Sequence, residues 1–248
     1  MLALDAIAYS NRWRPRHPGE KALLALGLLG AAVALPPWPG ALLTGSTAMV
    51  LLLGPAGVTL RQVWQAVRVP LGFVLTGSVP LLVAVGGSPW LAWEPSGIPR
   101  AAELAGRAMA ALLCLLLFAT TTPLADSLPR LTRIGVPPAI TEVASLIYRM
   151  VFLLLDSARA VREAQAGRLG FRTWATTYRA VAGQGGAIFV RAFDRARRLE
   201  EGLALRGYSG SLTVQVEYQA VSRRFIAATV GLLAAIVTVT LMARVVMV

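Results

Sequence analysis

Two arginines, each closely followed by a glycine, end two basic helical segments of this chain: Arg168 with Gly170, and Arg206 with Gly207. A glycine just beyond the last helical turn permits a left-handed cap, and an arginine there complements the negative end of the helix dipole. Either motif alone therefore has a structural explanation. An exposed guanidinium at a helix tip is also a fork for the carboxylates of a partner protein. Two such endings in one region favour partner binding.

Other kinds of site have little support in the residue types present. The chain has one cysteine, Cys114, and one histidine, His17, whereas transition-metal sites usually recruit several such ligands. Asp126 and Glu142 are separated by prolines and arginines, which argues against a paired general acid and base. The run Gly183–Gly186 lacks the strand and the lysine that a nucleotide-binding loop requires. We therefore predict that this chain is not an enzyme and holds no catalytic, cofactor-binding or metal-binding residue.

The composition indicates what class of protein must position these arginines. Of 248 residues, 56% are hydrophobic and 15% are charged, against roughly 25% charged in ordinary soluble proteins. Lysine plus arginine number 24 and acidic residues 12, so the net charge is +12. Nucleic-acid binders carry such charge on a solvated surface and have no need of long uncharged apolar stretches. The composition predicts an all-α integral membrane protein whose surroundings are the lipid bilayer, with no nucleic-acid partner.

Uncharged apolar stretches predict about five transmembrane helices, because roughly 20 apolar residues cross the hydrocarbon core as a helix. Pro36, Pro37 and Pro39 forbid one continuous helix through residues 22–54. This segment could therefore form either two short spans or one broken span. The predicted domains are a cytoplasmic N-terminal segment 1–21, transmembrane helices 1 to 4 in 22–122, a cytoplasmic helical module 123–224, and a final transmembrane helix with the C-terminus in 225–248. The predicted spans are Ala22–Leu35, Ala41–Gly54, Val69–Gly87, Ala101–Thr122 and Phe225–Ala243.

The distribution of basic residues predicts the orientation. With five spans and a cytoplasmic N-terminus, the inside segments hold 21 of the 24 lysines and arginines. The segment 123–224 holds 15 of them but is too long to count by itself, whereas the short segments 1–21 and 55–68 agree with it. We therefore expect the N-terminus to be cytoplasmic.

The segment 123–224 contains two helical patterns. The first, Ala139–Leu169, has apolar residues at helical spacing. The second, Ala187–Leu205, has alanines and leucines on one stripe and Arg191, Arg195 and Arg198 on another. The run Gly183–Gly186 is interpreted as a break between the two patterns. Each pattern ends at one of the two arginine motifs.

Taken together, these residues resemble the T component of energy-coupling factor transporters, in the subfamily that serves cobalt. That component is characterised by two short motifs built on Ala-Arg-Gly at the ends of cytoplasmic coupling helices. Here the first motif reads Gly-Arg-Leu-Gly and the second Ala-Leu-Arg-Gly. The resemblance covers most of the chain and extends to Leu4-Asp5-Ala6, Arg12, His17-Pro18-Gly19-Glu20-Lys21, Thr121-Thr122-Pro123, Gly135-Val136-Pro137, Tyr148-Arg149 and Ala164-Gln165.

The resemblance implies a non-catalytic scaffold in the cytoplasmic (inner) membrane of a prokaryote. Two cytoplasmic ABC-type ATPase subunits would bind ATP and Mg²⁺, and a CbiM-like membrane subunit would bind Co²⁺, with a small CbiN-like subunit as a further candidate partner. Crossed helices would carry nucleotide-driven motion towards the membrane. The residues that the resemblance assigns to ATPase coupling are Arg168, Gly170, Ala204, Arg206 and Gly207.

Three other interpretations stay open at this point. A nickel transporter of the same type would have the same sequence features. The permease of a conventional ABC importer is suggested by the six-residue separation of Glu201 and Gly207. A basic adaptor on anionic lipid would use all the arginines of residues 123–224 alike, so that Arg206 would matter no more than Arg198.

Overall fold

In a computed structural model, which describes residues 3–85, 91–93, 97–208 and 219–247, the protein consists almost wholly of α-helices. The exception is one antiparallel pair of three-residue strands, β1 (Val83–Val85) and β2 (Leu91–Trp93). The predicted all-α membrane class is confirmed. The helices are α1 (Ala3–Ser10), α2 (Pro18–Ala34), α3 (Pro37–Leu53), α4 (Leu60–Ser78), α5 (Gly97–Thr121), α6 (Leu124–Ser127), α7 (Pro138–Gly167), α8 (Trp174–Leu205) and α9 (Arg223–Met247), with 3₁₀ turns at Val79–Leu82 and Leu128–Ile134.

The chain divides into two compact units. Unit 1 comprises residues 1–124 and 217–248, and unit 2 comprises residues 125–216. Unit 2 is thus inserted into unit 1 between α5 and α9. That unit 2 is cytoplasmic stays a prediction.

Residues 22–54 form two separate helices, α2 and α3, of 17 residues each. The first ends where Leu35 becomes extended, directly before Pro36 and Pro37. The carbonyl of Leu35 accepts a hydrogen bond from Nη2 of Arg107 at 3.1 Å, so a guanidinium from α5 supports the end of α2. At 1.5 Å per residue α2 is about 26 Å long. Trp38, the second residue of α3, has extended torsions (φ −117°, ψ 124°), so the regular part of α3 after it is about 23 Å long. Both are therefore slightly shorter than the roughly 30 Å hydrocarbon core.

Helix α4 begins nine residues before the predicted span Val69–Gly87 and contains the first ten residues of that span. The cause is a capping box: Oγ1 of Thr59 accepts from the backbone N–H of Gln62, and Oε1 of Gln62 accepts from the N–H of Thr59. The local cap outweighs the charges of Arg61 and Arg68, which the predicted span had avoided. The α-helix ends at Ser78 and a 3₁₀ turn follows. Residues 86–87 lie outside the described part of the chain.

Within the described residues, four helices are long and apolar enough to cross a membrane by length and composition, and the shorter α3 is also apolar. The segments Leu60–Leu82, Gly97–Thr121 and Arg223–Val245 correspond to three of the predicted spans. The remaining one, Pro138–Gly167, is α7, which the sequence interpretation assigned to a cytoplasmic module. Apolar residues of this helix, among them Met150 and Leu154, line a groove against α8.

The core of unit 1 lies where α2, α3, α4, α5 and α9 meet. Helices approach closely through small residues: a Cβ built on Gly45 would lie 3.4 Å from Cβ of Ala110 on α5. Cys114 is completely buried in this core and carries a free thiol. The largest fully buried apolar side chains are those of Leu28, Leu52 and Leu117.

In unit 2, α8 runs back along α7. The side-chain amide of Gln184 on α8 donates to the carbonyl of Ala158 on α7 at 3.0 Å. The predicted break at Gly183–Gly186 is therefore wrong, because these residues lie inside one continuous 32-residue helix. Each glycine costs a helix interior about 1 kcal/mol relative to alanine. Packing against α7 through Gln184, and a capping box at Thr173, offset this cost.

The apolar stripes predicted on the two helical patterns face each other across an open groove of about 290 Å³. Its polar margin includes Arg195, and a neighbouring groove of about 510 Å³ adds Arg191 and Arg198 from the predicted arginine stripe. The periodicity of both helices is thus confirmed. The apolar lining consists of Val143, Leu146, Ile147, Met150, Val151, Leu154, Ala192, Ala196 and Leu199.

Candidate functional site

The first arginine motif is a complete helix C-cap at the end of α7. Arg168 is the cap residue. The N–H of Leu169 donates to the carbonyl of Ala166 at 3.0 Å, and the N–H of Gly170 donates to the carbonyl of Gln165 at 2.9 Å. This pair of bonds is the Schellman arrangement, which satisfies carbonyls that the last helical turn leaves without a partner.

The second motif repeats this arrangement at the end of α8. Arg206 is the cap residue. The N–H of Gly207 donates to the carbonyl of Ala204 at 3.1 Å, and the N–H of Tyr208 donates to the carbonyl of Leu203 at 3.0 Å. Ala204, predicted as part of the motif, contributes its carbonyl to the cap and carries only an exposed methyl group.

The two arginines occupy equivalent positions. Their backbone torsions are φ −93°, ψ 16° at Arg168 and φ −95°, ψ 12° at Arg206. Two residues before each cap stands an exposed alanine, Ala166 in the first motif and Ala204 in the second. Ala166 was not singled out from sequence, although aligning the motifs on their arginines would have found it. The two helices thus present their arginines from the same local geometry.

The two glycines are not equivalent, contrary to the prediction. The left-handed residue of the second cap is Gly207 (φ 73°), but that of the first is Leu169 (φ 56°). A left-handed conformation costs a non-glycine residue about 1–2 kcal/mol. Gly170 instead permits a close approach, because a Cβ there would lie 2.9 Å from the carbonyl oxygen of Gln165 and 3.3 Å from Cβ of Ala180. The sequence motif does not predict this role for Leu169, since leucine is not a usual residue for this position.

Both motif arginines are exposed, and in the described residues their side chains make neither an ion pair nor a hydrogen bond. Other arginines of unit 2 are engaged along their own helices. Arg159 pairs with Asp156 and Arg197 with Glu201, each at 3.2 Å. Exposed pairs of this kind stabilise a helix by a few tenths of a kcal/mol. The guanidinium groups at the two caps are therefore available to a partner.

The two motifs lie at opposite ends of the α7–α8 pair. Gly170, at the end of α7, lies against Ala180 in the early part of α8. At the far end, the hydroxyl of Tyr208 donates to Oε1 of Glu142, in the second turn of α7, at 2.8 Å. Helix α8 has 32 residues, and at 1.5 Å per residue this places the arginines roughly 48 Å apart. One acidic pocket cannot bind both.

The hydrogen bond to Glu142 raises the pKa of Tyr208 above its ordinary value, and the negative charge of that carboxylate adds to the effect. The phenol must keep its proton to donate this bond. The contact is therefore complete below the ordinary pKa of about 10 and is lost as the pH rises through the higher, folded-state value. At neutral pH the bond therefore ties Tyr208, the residue that follows the second cap, to α7.

We expect Glu142→Gln to lower the pKa of Tyr208 towards about 10, because the substitution removes the charge but keeps an acceptor oxygen. Tyrosinate absorbance in a pH titration measures this change. The chain has five tyrosines, so subtracting the curve of Tyr208→Phe isolates the one of interest. An unchanged midpoint for Tyr208 in Glu142→Gln would contradict the contact.

No group of three or more histidine, cysteine or carboxylate side chains that could hold a metal ion occurs in the part of the chain that the structure describes. The candidate site consists of cationic helix ends. Its arrangement suits the binding of acidic protein surfaces more than it suits small-molecule chemistry.

These features define a class: a multi-pass α-helical membrane protein with an inserted pair of long helices whose ends present arginines. Residues 10–218 match the family model of CbiQ, described as a cobalt transport protein. The chain belongs to this CbiQ family of cobalt transport proteins.

Individual relatives agree with the family model. The chain is 42% identical over 215 residues to the cobalt transport protein CbiQ of Rhodobacter capsulatus, covering 86% of this chain and 87% of the relative. It is 28% identical to the CbiQ of Salmonella typhimurium, covering 85% of this chain and 98% of that one. A putative fused cobalt transport protein CbiMQ of Methanocorpusculum labreanum is 25% identical, over 86% of this chain and 38% of the fused protein.

Proposed function

We propose that this chain is the non-catalytic transmembrane coupling subunit of an ATP-driven cobalt importer of the energy-coupling factor type. The observation that carries the proposal is the pair of equivalent, exposed cap arginines at opposite ends of the α7–α8 pair. Membership of the CbiQ family supplies the transport context. Two equivalent arginines at separate helix ends suit a subunit that binds two copies of one partner.

The partners at the two arginines are two cytoplasmic ABC-type ATPase subunits. Each guanidinium, Arg168 on one subunit and Arg206 on the other, binds carboxylates in a groove of the ATPase. Guanidinium and carboxylate form two parallel, charge-assisted hydrogen bonds, which fix orientation as well as adding affinity. The ATPases bind ATP and Mg²⁺ and carry out hydrolysis, while this chain takes up their motion.

The substrate, Co²⁺, is bound by a separate membrane subunit that resembles CbiM, with a small CbiN-like subunit as a further candidate. The name of the fused CbiMQ relative supports a CbiM-like partner. The distribution of arginines supports an orientation with the N-terminus inside. The bacterial relatives support insertion in the cytoplasmic membrane of a prokaryote. Preference for cobalt over nickel rests on the family to which the chain belongs.

Affinity purification of the tagged protein from native membranes tests this proposal. We expect two copies of an ABC-type ATPase and one CbiM-like subunit to co-purify, because one arginine is available for each ATPase. The tagged protein purified without its partners should show neither ATP turnover nor stoichiometric Co²⁺ binding. Stoichiometric Co²⁺ binding by this chain alone, or co-purification without any ATPase, would contradict the proposal.

A further inference from the structure

The two covalent connections between unit 1 and unit 2 lie next to the ends of two helices of unit 1. The chain leaves unit 1 after residue 124, just past the end of α5, and returns at residue 217, shortly before α9. The end of α5 and the start of α9 are thus the ends of long helices of unit 1 that lie nearest in sequence to unit 2. Residues that bind these two helix ends could therefore affect how motion of unit 2 is passed to unit 1.

Lys21, in the first turns of α2, holds the end of α5. Its side chain is 2% exposed, and Nζ donates to the carbonyl of Thr121, the last residue of α5, at 2.8 Å. Nζ also donates to the carbonyl of Trp13 at 3.3 Å. Carbonyls in the last turn of a helix lack intrahelical partners and form the negative end of its dipole. A cationic donor from α2 is well matched to that position.

Glu20, the residue before Lys21, holds the start of α9. It is 3% exposed, and Oε1 accepts a hydrogen bond from the backbone N–H of Ser222, directly before α9. Oγ of Ser222 in turn accepts from the N–H of Phe225 at 3.4 Å. The positive end of a helix favours a carboxylate. Glutamate and lysine are thus each paired with the helix end of complementary sign.

The N-terminal segment adds apolar contacts at the same place. The ring of Trp13 meets that of Phe225 edge-on at 5.6 Å, and the guanidinium of Arg16 lies 4.7 Å from the centre of the Phe225 ring. Residues 13–21 therefore contact both α5 and α9. A charged side chain is costly to bury unless it is paired, and almost never fully buried without a partner. Two consecutive buried charged residues, each paired with one helix end, indicate that this site requires both helix ends to be bound to α2.

We propose that Glu20 and Lys21 are positioning residues that clamp both connections to α2, so that motion of unit 2 enters the membrane bundle as one displacement. This inference rests on the proposed coupling function. Consecutive residues of a helix point about 100° apart, which lets one short segment reach both α5 and α9. Without the clamp, the ends of α5 and α9 would follow unit 2 separately, and ATPase motion would be dissipated in them.

The test uses the complete transporter, purified and reconstituted into liposomes, with Co²⁺ uptake and ATP hydrolysis measured in the same sample. The variants are Lys21→Met and Glu20→Leu, which remove the donor and the acceptor. Arg61→Met and Glu103→Leu are matched controls, because both residues are exposed and make no ion pair in the described residues. Lys21→Arg restores a cationic donor.

We expect Lys21→Met and Glu20→Leu to retain the ATPase subunits and hydrolyse ATP, while Co²⁺ transported per ATP falls about tenfold, the scale of one lost charge-assisted hydrogen bond. Lys21→Arg should recover part of the ratio, and both controls should match the wild type. An unchanged ratio in Lys21→Met and Glu20→Leu would overturn the clamp. Failure of both variants to assemble would overturn it also, because their role would then be structural.

The outcome for the wild-type complex separates this inference from the proposed function. If wild-type transporter shows no ATP-driven Co²⁺ uptake, the coupling function itself is contradicted. If the wild type does show uptake, and Lys21→Met and Glu20→Leu transport as much Co²⁺ per ATP as the control variants, the coupling function stands and the clamp alone is wrong.

Discussion

Reversing both motif arginines, in the double variant Arg168→Glu with Arg206→Glu, is expected to leave the protein inserted in the membrane but to remove the ATPase subunits and abolish cobalt uptake. Each substitution replaces attraction to partner carboxylates by repulsion. A hydrogen bond between charged groups contributes about 1.5–3 kcal/mol, which corresponds to roughly 10- to 100-fold in affinity per site. Co-purification of the ATPases and uptake by intact cells measure the result.

The double variant should be worse than either single one, because the two sites bind independently at opposite ends of the α7–α8 pair and losing both removes avidity. The matched control is Arg191→Glu with Arg198→Glu, which reverses two exposed arginines of α8 that cap no helix. A general lipid adaptor would lose function equally in both double variants. Normal ATPase retention and uptake in Arg168→Glu with Arg206→Glu would refute the coupling role of the caps.

Gly207→Val is expected to release the second cap and to weaken ATPase binding at Arg206 by at least about tenfold, since a left-handed residue costs 1–2 kcal/mol for an ordinary side chain and more for a β-branched one. The conformation at Gly207 has φ 73°. Valine would favour unwinding of the last turn of α8 and would turn the guanidinium away. An Arg168→Glu background makes the assay sensitive, because ATPase retention then depends on the second motif alone.

Gly202→Val, one and a half turns earlier in α8, is the control for side-chain size. A Cβ at Gly202 would meet nothing within 4 Å, and the residue has ordinary helical torsions, so we expect normal retention. Equal retention of the ATPase in Gly207→Val and Gly202→Val would show that the cap geometry does not matter.

The converse change, Leu169→Gly, relieves the left-handed strain of the first cap. We expect it to preserve binding at Arg168 and to raise the free energy of unfolding by up to about 1–2 kcal/mol.

The ends of α7 and α8 could be predicted from sequence because the signals are local. Apolar residues recur at helical spacing up to each motif, and the arginine with its following small residues marks the last turn. The observed caps at Arg168 and Arg206 agree with those expected ends. The class of all-α membrane protein follows from composition and from the length of the apolar stretches in the same way.

Three features of the structure differ from the sequence-based predictions, and each has a competing interaction as its cause. The capping box at Thr59 started α4 earlier than hydropathy suggested. Packing of Gln184 on the backbone of α7 kept α8 continuous through Gly183–Gly186. Leu169 took the left-handed conformation that was expected of Gly170, because the cap register is set by hydrogen bonds to Ala166 and Gln165.

The helical membrane class and the two arginine-tipped helices follow from the amino-acid sequence alone, since these depend on periodicity and on groups a few residues apart. The packing of α8 against α7 places the arginines at opposite ends of one helix pair. The tertiary structure also brings Lys21 to the carbonyl of Thr121, 100 residues away, and Glu20 to the amide of Ser222, 202 residues away. Such contacts depend on how the helices of unit 1 pack, and no local pattern near residue 20 encodes them.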